Sequence, residues 1–305
     1  MEENMKLKEP KVSIIIPVHN NEDTIVETIN SCVNQNYKEI EILVVINGSN
    51  DASESLVREI KDKRVNIYCL KYSGRSLARN FGLKTAKGKY IQFLDSDDRL
   101  EKSKIKNAVH FLENNPESFG YFSSVEYIGR DGKKIKTVNV KQNKQRLIQF
   151  FNLYPINSLI FRNNNITLFE DSMEFNEDWL FWVENVLNRR IYCNNNQIGG
   201  YVNITGNNTM TQLDKMIESQ LYVRIMIIDK YKFDYRYFLR AIVYDSRLLR
   251  EYYYFKKSFK QVKGRSKYID VLISLLMLGF KIPTIRARSL KRINDKFNSN
   301  IYTEK

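Results

Sequence analysis

The sequence predicts an α/β fold in which a mainly parallel sheet is flanked by helices and is followed by a helical, basic C-terminal region. Short, almost continuously apolar runs recur between residues 12 and 94, and a helical pattern separates each run from the next. This alternation is typical of parallel sheets. The net charge of +14 is uneven, since residues 224–305 hold 20 Lys and Arg against 7 Asp and Glu.

The elements of the predicted sheet follow one another closely. Each apolar run has the length of a strand buried on both faces, and each intervening segment places its apolar residues on one helical face. Right-handed crossovers between successive strands make them parallel. The strands are predicted at residues 12–17, 40–46, 65–70 and 90–94, and the helices at residues 24–29, from residue 53 onward and at residues 76–85.

The pattern loosens after Lys102. A turn at residues 129–132 (Gly-Arg-Asp-Gly) predicts an antiparallel pair of strands around it. Beyond Leu213 the chain is dense in Tyr, Phe, Lys and Arg, and it predicts mostly helices. The other predicted elements are strands at residues 119–128 and 135–140 and helices at residues 105–112, 146–153 and 178–186.

Polar residues stand where three of the strands end. His19, Asn47 and Asp95 follow the first, second and fourth apolar runs. Ligands of open parallel sheets bind beyond the carboxyl ends of the strands. The three positions therefore predict a nucleotide-type pocket.

An acidic pair and two arginines add phosphate chemistry to this prediction. Asp95 and Asp97 stand one residue apart at the end of a strand and offer hard oxygen ligands to a divalent cation, which can in turn hold a diphosphate. Arg75 and Arg79, just upstream, offer charge-assisted donors that suit phosphate.

Composition argues against several other classes of protein. The three cysteines are widely spaced and odd in number, so they favour free thiols in a reducing compartment over a disulfide framework or a metal site. The polar N-terminus shows no signal peptide, and the longest apolar run, residues 271–280, is too short to span a bilayer. We expect a cytoplasmic protein, with a peripheral position at the inner face of the cell membrane left open.

Five short segments occur in a fixed order along residues 10–211. They are the first strand with its end (12–20), the turn Val-Ile-Asn-Gly-Ser-Asn-Asp (45–51), the helical Ala-Arg-Asn-Phe-Gly (78–82), the Phe-Leu-Asp-Ser-Asp-Asp segment (93–98) and Asn-Glu-Asp-Trp-Leu-Phe-Trp (176–182). Together they resemble the inverting nucleotide-sugar glycosyltransferases of family 2, which have the Rossmann-like GT-A fold. A weaker match to a closing loop lies at 201–211. The resemblance implies a GT-A domain at residues 1–215, with a helical, basic region at 216–305 for membrane or acceptor contact.

The resemblance also implies a reaction and a set of site residues. A sugar would move from a nucleotide-diphosphate donor, with a UDP-sugar favoured, to a hydroxyl of a cell-surface glycan, a lipid-linked acceptor or a teichoic-type acceptor. Asp178 is the implied general base, and Glu177 is expected to orient the site. Asp97 is the expected direct ligand of Mn²⁺ or Mg²⁺, with Asp95 supporting the metal or touching the ribose. The expected donor-binding residues are Pro17, His19, Asn47, Asp51, Arg75, Arg79, Asp95 and Ser96.

Three departures from the family pattern bear on these expectations. Ile46 and Asn47 occupy turn positions that are usually acidic; the Asn47 amide oxygen can still accept from a uracil N–H, although its amide nitrogen also donates. Gly206 stands where some members carry a metal-binding histidine. The Gln-x-x-Arg-Trp motif of processive synthases is absent, which favours single transfers.

For several candidate residues, a purely structural role is the alternative to a role in the site. These alternatives are a helix-terminal carboxylate for Asp178, a helix cap for Asp51, a surface salt bridge for Arg79, strand-end packing for His19, and core packing rather than an acceptor wall for Trp179 and Trp182.

Other functions remain open for the whole chain. The altered turn at Ile46 and Asn47 allows a catalytically inactive scaffold that binds sugar nucleotides. A nucleotidyltransferase would usually need a Gly-rich phosphate loop, which does not follow the first strand. The mixture of cations and aromatic residues at 252–257 and 281–286 suits either an anionic membrane surface or a solvated basic domain. Nucleic acid is disfavoured as a partner because no recognised motif accompanies the charge.

Overall fold

A computed structural model describes residues 12–204 and, beyond them, residues 219, 220, 222–224, 226, 227, 230 and 231. The chain divides into two compact units, Met1–Gly206 and Asn207–Lys305. The described residues between 219 and 231 are helical. The predicted domain boundary at 215/216, most of the predicted C-terminal helices and most of the predicted closing loop lie outside the described residues.

The described part of the first unit alternates strands and helices. Its strands are β1 (Val12–Val18), β2 (Ile40–Asn47), β3 (Val65–Leu70), β4 (Tyr90–Phe93), β5 (Arg99–Leu100), β6 (Gly120–Ile128), β7 (Lys134–Val138), β8 (Leu159–Arg162) and β9 (Ile191–Asn203). Its α-helices are α1 (Ile25–Val33), α2 (Ser53–Glu59), α3 (Arg75–Thr85), α4 (Lys104–Asn114) and α5 (Glu177–Val186). A 3-10 helix spans Gln145–Gln149 where the sequence predicted a longer helix at 146–153.

All nine strands form one sheet, in the order β3-β2-β1-β4-β8-β6-β9-β5, with β7 paired to β6. The strands from β3 to β4 are parallel, whereas β8 runs antiparallel to both of its neighbours. The α/β prediction with flanking helices is confirmed. The parallel arrangement holds for the first four strands, and the sheet as a whole is mixed because β8 reverses the strand direction.

The parallel half forms the core beneath the strand ends. Every residue of β1 and β2 is buried, which explains their unbroken apolar character. Helix α3 packs closely against β1 at Gly82, where a Cβ atom would lie 2.4 Å from Ile15 Cγ2. This close approach holds the arginines of α3 near the carboxyl ends of the strands.

An aromatic cluster fills the space between the sheet and α5. The Phe93 ring lies 5.5 Å from that of Phe181 and 6.3 Å from that of Trp182, measured between ring centroids. Trp179 and Trp182 are at most 1% exposed. Core packing, and not an acceptor wall, is therefore the role of both tryptophans.

Candidate active site

The loops after β1 and β2 are joined by direct hydrogen bonds. His19 Nδ1 lies 2.8 Å from the carbonyl oxygen of Asn47. Because a carbonyl can only accept, this contact places a proton on Nδ1 and leaves Nε2 as the ring nitrogen available to a ligand. The imidazole is exposed, whereas Pro17, two residues earlier, is buried within β1.

Asn47 supports the pocket from inside. Its side chain is buried, its Nδ2 donates to the carbonyl of Val18 at 2.8 Å, and its Oδ1 accepts from the Gly74 N–H at 2.9 Å. Both ends of the amide are therefore used within the protein. Asn47 connects the ends of β1 and β2 to the start of α3, where Arg75 follows Gly74.

Asp51 lies at the outer end of this loop. Its Oδ1 accepts from the Ser53 N–H and its Oδ2 from the Glu22 N–H, both at 3.0 Å. Ser53 is the first residue of α2, so the carboxylate satisfies a helix-terminal N–H that has no partner within the helix. These contacts match the capping alternative for Asp51.

Arg79 is the most enclosed charged group of the site. Its side chain is 1% exposed, with Nη1 2.8 Å from Glu177 Oε1 and Nη2 2.7 Å from Asp95 Oδ1. Such burial leaves no face of the guanidinium for a ligand and also excludes a surface salt bridge. The structure therefore places Arg79 as an internal bridge between two carboxylates.

Arg75 lies one helical turn earlier and is 39% exposed, with Nη1 3.4 Å from Glu177 Oε1. Burial alone would lower the pKa of Arg75. The negative charges of Asp95, Glu177 and Asp178 outweigh this effect and raise the pKa. Three of the predicted carboxylates thus surround one accessible guanidinium. Arg75 can donate to an anionic ligand, whereas Arg79 cannot.

The acidic turn after β4 is held from several sides. The carbonyl oxygen of Ser96 accepts from the hydroxyls of Thr24 and Thr28, each at 2.9 Å, and the Ser96 hydroxyl donates to Asn21 Oδ1 at 2.7 Å. Ser96 is buried. Its contacts fix the turn, so its role in the structure is to orient the neighbouring aspartates.

The end of β9 holds the same turn from the other side. Asn203 donates from Nδ2 to the carbonyl of Asp97 at 2.6 Å and from its backbone N–H to Asp98 Oδ1 at 3.2 Å. Asn157 Nδ2 adds a contact to Asp98 Oδ2 at 3.2 Å. Asp98 is buried and acts as an anchor, so Asp95 and Asp97 are the partly exposed carboxylates of the turn.

The two carboxylates differ in charge environment. Burial raises the pKa of Asp95, but the guanidinium of Arg79, followed by that of Arg75, outweighs burial and lowers it. Burial and the negative charge of Asp95 raise the pKa of Asp97 to about 6. A divalent cation between them would offset the repulsion.

This donor set suits a cation shared with a ligand. Carboxylate oxygens are the ligands that Mg²⁺ and Mn²⁺ prefer, and Mg²⁺ is usually bound through one or two carboxylates together with substrate phosphates. Within residues 12–204, His, Cys, Asp and Glu nowhere form a group of three that could hold a metal ion. Asp95 and Asp97 therefore fit a cation whose remaining ligands come from a diphosphate and water.

Asp178 lies in the first turn of α5, next to Glu177. Its Oδ1 accepts from the Trp179 N–H at 2.8 Å and its Oδ2 from Asn152 Nδ2 at 2.7 Å. Burial, followed by the negative charge of Glu177, raises the pKa of Asp178 to about 6, although Asn152 and Arg79 act in the opposite direction. The side chain is half-buried, which leaves it open to a substrate.

The sequence analysis missed the residues that support this site. Asn152 contacts the carboxylate of Asp178, whereas Asn157 and Asn203 hold the acidic turn through Asp98 and the Asp97 carbonyl, and the sequence analysis assigned no role to any of the three. The contact between Asn152 and Asp178 joins residues 26 positions apart. Only the density of asparagine in these segments could have suggested structural contacts.

Comparison with known proteins places the chain in a family. The family model described as Glycosyl transferase family 2 matches residues 13–172, which is more than half of the chain. The chain belongs to glycosyl transferase family 2. It is 44% identical over 124 residues to UDP-Glc:alpha-D-GlcNAc-diphosphoundecaprenol beta-1,3-glucosyltransferase WfaP of Escherichia coli, a match that covers 39% of the chain and 47% of WfaP.

Solved structures support the fold. The crystal structure of S. aureus TarS 1-349 in complex with UDP-GlcNAc matches with a TM-score of 0.61 and 18% identity, covering 95% of this chain and 92% of that one. The mannosyltransferase PcManGT from Pyrobaculum calidifontis in complex with GDP-Man and Mn²⁺ matches with a TM-score of 0.58 and 14% identity, covering 94% and 85%. These likenesses confirm the GT-A-like fold.

The matches span less than half of the length of the first curated relatives. The matched segments cover 30% to 47% of the length of the first four such relatives. None of the helices among the described residues combines the length and the apolar composition that crossing a bilayer requires.

Proposed function

We propose that this chain is a metal-dependent inverting glycosyltransferase that moves a sugar from a UDP-sugar to an acceptor hydroxyl, with Asp178 as general base. One observation carries the proposal. A half-buried carboxylate with a pKa of about 6 stands at the start of α5, and the neighbouring Glu177 is joined through Arg79 to the acidic turn. The buried Arg79 therefore connects the helix turn that carries the proposed base to the turn that would bind the diphosphate.

The chemistry follows from the charges at the site. Inversion requires the acceptor hydroxyl to attack the anomeric carbon from the side opposite the leaving diphosphate, while a carboxylate removes the hydroxyl proton. A base with a pKa close to the working pH combines a useful deprotonated fraction with adequate proton affinity. Asp178 meets this condition, whereas Glu177 is 3% exposed and ion-paired to arginine. Glu177 therefore serves to orient the site.

The leaving diphosphate would be held at the acidic turn. Asp97 and Asp95 would bind Mn²⁺ or Mg²⁺, and a bound cation would supply charge stabilisation for the departing phosphate. Arg75 would donate to the same phosphates from its exposed face. The structure of PcManGT in complex with GDP-Man and Mn²⁺ supports a divalent metal ion in a protein of this fold.

The base and ribose would lie over the ends of β1 and β2. His19 presents its free Nε2 there, while the buried residues Pro17, Asn47 and Ser96 shape the pocket from beneath. The UDP-GlcNAc complex of TarS and the UDP-Glc in the name of WfaP support uridine as the base. Asp51 contributes by holding the start of α2.

The acceptor and the cellular setting belong to the same proposal. The name of WfaP supports a lipid-linked diphosphate acceptor that carries a sugar. Cell-surface glycan and teichoic-type acceptors share the required hydroxyl. Residues 1–215 would form the catalytic domain, residues 216–305 would contact acceptor or membrane, and the protein would work in the cytoplasm at the inner face of the membrane.

Transfer assays with Mn²⁺ and a panel of nucleotide sugars test this function, with calorimetry of donor binding in parallel. The intact chain should transfer or hydrolyse one UDP-sugar. Asp178→Asn should bind the donor normally but react at least about a hundredfold more slowly. Asp131→Asn, at an exposed turn, is the matched control and should react normally. Donor binding without any turnover by the intact chain would favour the inactive scaffold, and full activity of Asp178→Asn would remove Asp178 as the base.

A further inference from the structure

Two large apolar side chains stand exposed on the segment that contacts the proposed base. Leu147 is 41% exposed and Phe151 is 46% exposed. The Phe151 N–H donates to the Leu147 carbonyl at 3.1 Å, which closes one helical turn. This backbone bond spans four residues, as in an α-helical turn, and brings Leu147 and Phe151 close together at the surface, so we treat the two side chains as one apolar patch.

Three cations lie close to this patch along the chain. Lys141, Lys144 and Arg146 are all exposed, and within residues 12–204 no carboxylate forms an ion pair with any of them. We call residues 141–152 the basic turn. An exposed apolar pair beside unneutralised cations has the composition of segments that lie at an anionic lipid surface.

The basic turn is fixed to the first turn of α5. The Trp179 indole N–H donates to the Ile148 carbonyl, and Ile148 itself is fully buried. Asn152 reaches Asp178 with a hydrogen bond of 2.7 Å. A surface that receives the basic turn would therefore lie beside Asp178.

We propose that the basic turn contacts an anionic lipid bilayer through Leu147, Phe151 and its three cations. The apolar pair enters the headgroup region while the cations meet the lipid phosphates. Such a contact presents a membrane-borne acceptor hydroxyl to Asp178, and this consequence rests on the proposed function. The lipid contact itself depends only on the exposed residues of the basic turn.

A local probe is needed because the basic residues at 224–305 give a second route to lipid. The full chain is prepared with Cys69→Ser and Cys193→Ser, which leaves only the buried Cys32. An environment-sensitive fluorophore is then attached at Leu147→Cys or Phe151→Cys. Ile135→Cys, another exposed apolar position at 55% exposure, is the matched control.

Vesicles containing phosphatidylglycerol should shift the emission of probes at 147 and 151 to shorter wavelength, and added salt should reverse the shift. The probe at 135 should not respond. Changing Lys141, Lys144 and Arg146 together to Gln should raise the lipid concentration at half-maximal shift by at least about tenfold. Asp178→Asn should lose transfer yet keep the shift, which separates the lipid contact from the catalytic role.

Several outcomes would overturn the lipid contact. One is vesicle binding by the chain without a shift at 147 and 151, since the contact would then lie elsewhere. No vesicle binding at all would do the same. An equal shift with phosphatidylcholine alone would remove the anionic requirement, and an equal shift with soluble polyphosphate would assign the basic turn to a polyanionic polymer.

Discussion

Arg79 Nη1 lies 2.8 Å from Glu177 Oε1, and the two side chains are only 1% and 3% exposed. The other terminal nitrogen of Arg79 lies 2.7 Å from Asp95 Oδ1. Because a guanidinium presents donors in several directions, one side chain joins the first turn of α5 to the acidic turn after β4. A single buried cation therefore connects Glu177, the neighbour of the proposed base, to the proposed metal site.

Replacing Arg79 should damage both stability and donor binding. Arg79→Ala leaves the Glu177 carboxylate buried without its main partner, and breaking a buried pair in this way costs about 3–5 kcal/mol. Arg79→Lys should recover only part of the loss, because an ammonium cannot span both carboxylates. Urea denaturation measures the free energy of unfolding.

Arg58→Gln is the matched control for Arg79. Arg58 pairs with Glu54 on the exposed face of α2, where such pairs contribute little. The control should unfold at nearly the same urea concentration as the unchanged chain. Equal effects of Arg79→Ala and Arg58→Gln would show that the buried bridge has no special structural role.

Transfer should depend on pH through Asp178. The base acts in its deprotonated form, and burial raises the pKa of Asp178 to about 6. With saturating Mn²⁺, which would keep Asp97 ionised, the value of kcat/KM should therefore fall about tenfold for each pH unit below 6 and level off above it. Measuring kcat/KM between pH 5 and 8 tests this, and a profile without an acid limb near pH 6 would contradict the assignment.

Asn152→Ala should move that acid limb to higher pH. The Asn152 amide donates to Asp178 Oδ2 at 2.7 Å and stabilises the charged carboxylate. Asn152 and Arg79 therefore lower the pKa of Asp178, whereas the negative charge of Glu177 raises it. Losing one hydrogen bond of about 1 kcal/mol corresponds to a shift of nearly one pH unit. Asn107→Ala, at an exposed position of α4, should leave the limb in place. A uniform fall in rate with an unchanged pH profile would mean that Asn152 serves folding alone.

The sequence predicted the parallel half of the sheet because β1, β2 and β4 are buried on both faces and read as continuous apolar runs. It missed β9 because residues 193–197 of that strand are Cys, three Asn and Gln, which show no strand pattern. It missed β8, a run of four residues like β4, because β8 stands outside the regular alternation of strands and helices that identified β4. Reversal of strand direction at β8 is a tertiary feature that no local pattern contains.

The candidate carboxylates were named from their local motifs, but the roles of their neighbours depended on distant contacts. Arg79 was expected to bind the donor or to lie in a surface salt bridge, and it is instead buried and bound to Glu177, 98 residues further on. Asn47 was expected to face the base, and its amide instead meets Gly74 and Val18. Spacing along the chain identifies residue types that suit phosphate chemistry, whereas exposure decides which of them can reach a ligand.

Gly82→Ala should displace α3 from the sheet. The new Cβ atom would lie 2.4 Å from Ile15 Cγ2, and Ile15 is fully buried in β1 and cannot turn away. Overpacking of this kind costs about 1–3 kcal/mol, of which better helix propensity returns up to about 1 kcal/mol. The free energy of unfolding should fall, and KM for the donor should rise because α3 carries Arg75.

Gly129→Ala provides the comparison for Gly82. Its Cβ atom would lie 3.0 Å from Asp131 Oδ1, the end of an exposed side chain that can move. This variant should keep both its stability and its KM for the donor. An unchanged KM in a destabilised Gly82→Ala protein would show that the packing of α3 does not govern donor binding.

Asp97→Asn should weaken the dependence of donor binding on metal. An amide oxygen is a poorer ligand for a divalent cation than a carboxylate, and the repulsion from Asp95 that a cation would relieve is lost with the charge. Calorimetry with UDP-sugar should show tighter binding on addition of Mn²⁺ for the unchanged chain, reversed by a chelator, and at least about tenfold less enhancement for the variant. Asp131→Asn should behave like the unchanged chain. If Asp97→Asn kept the full enhancement, the cation would have to be held elsewhere, and the acidic turn would keep only a structural role.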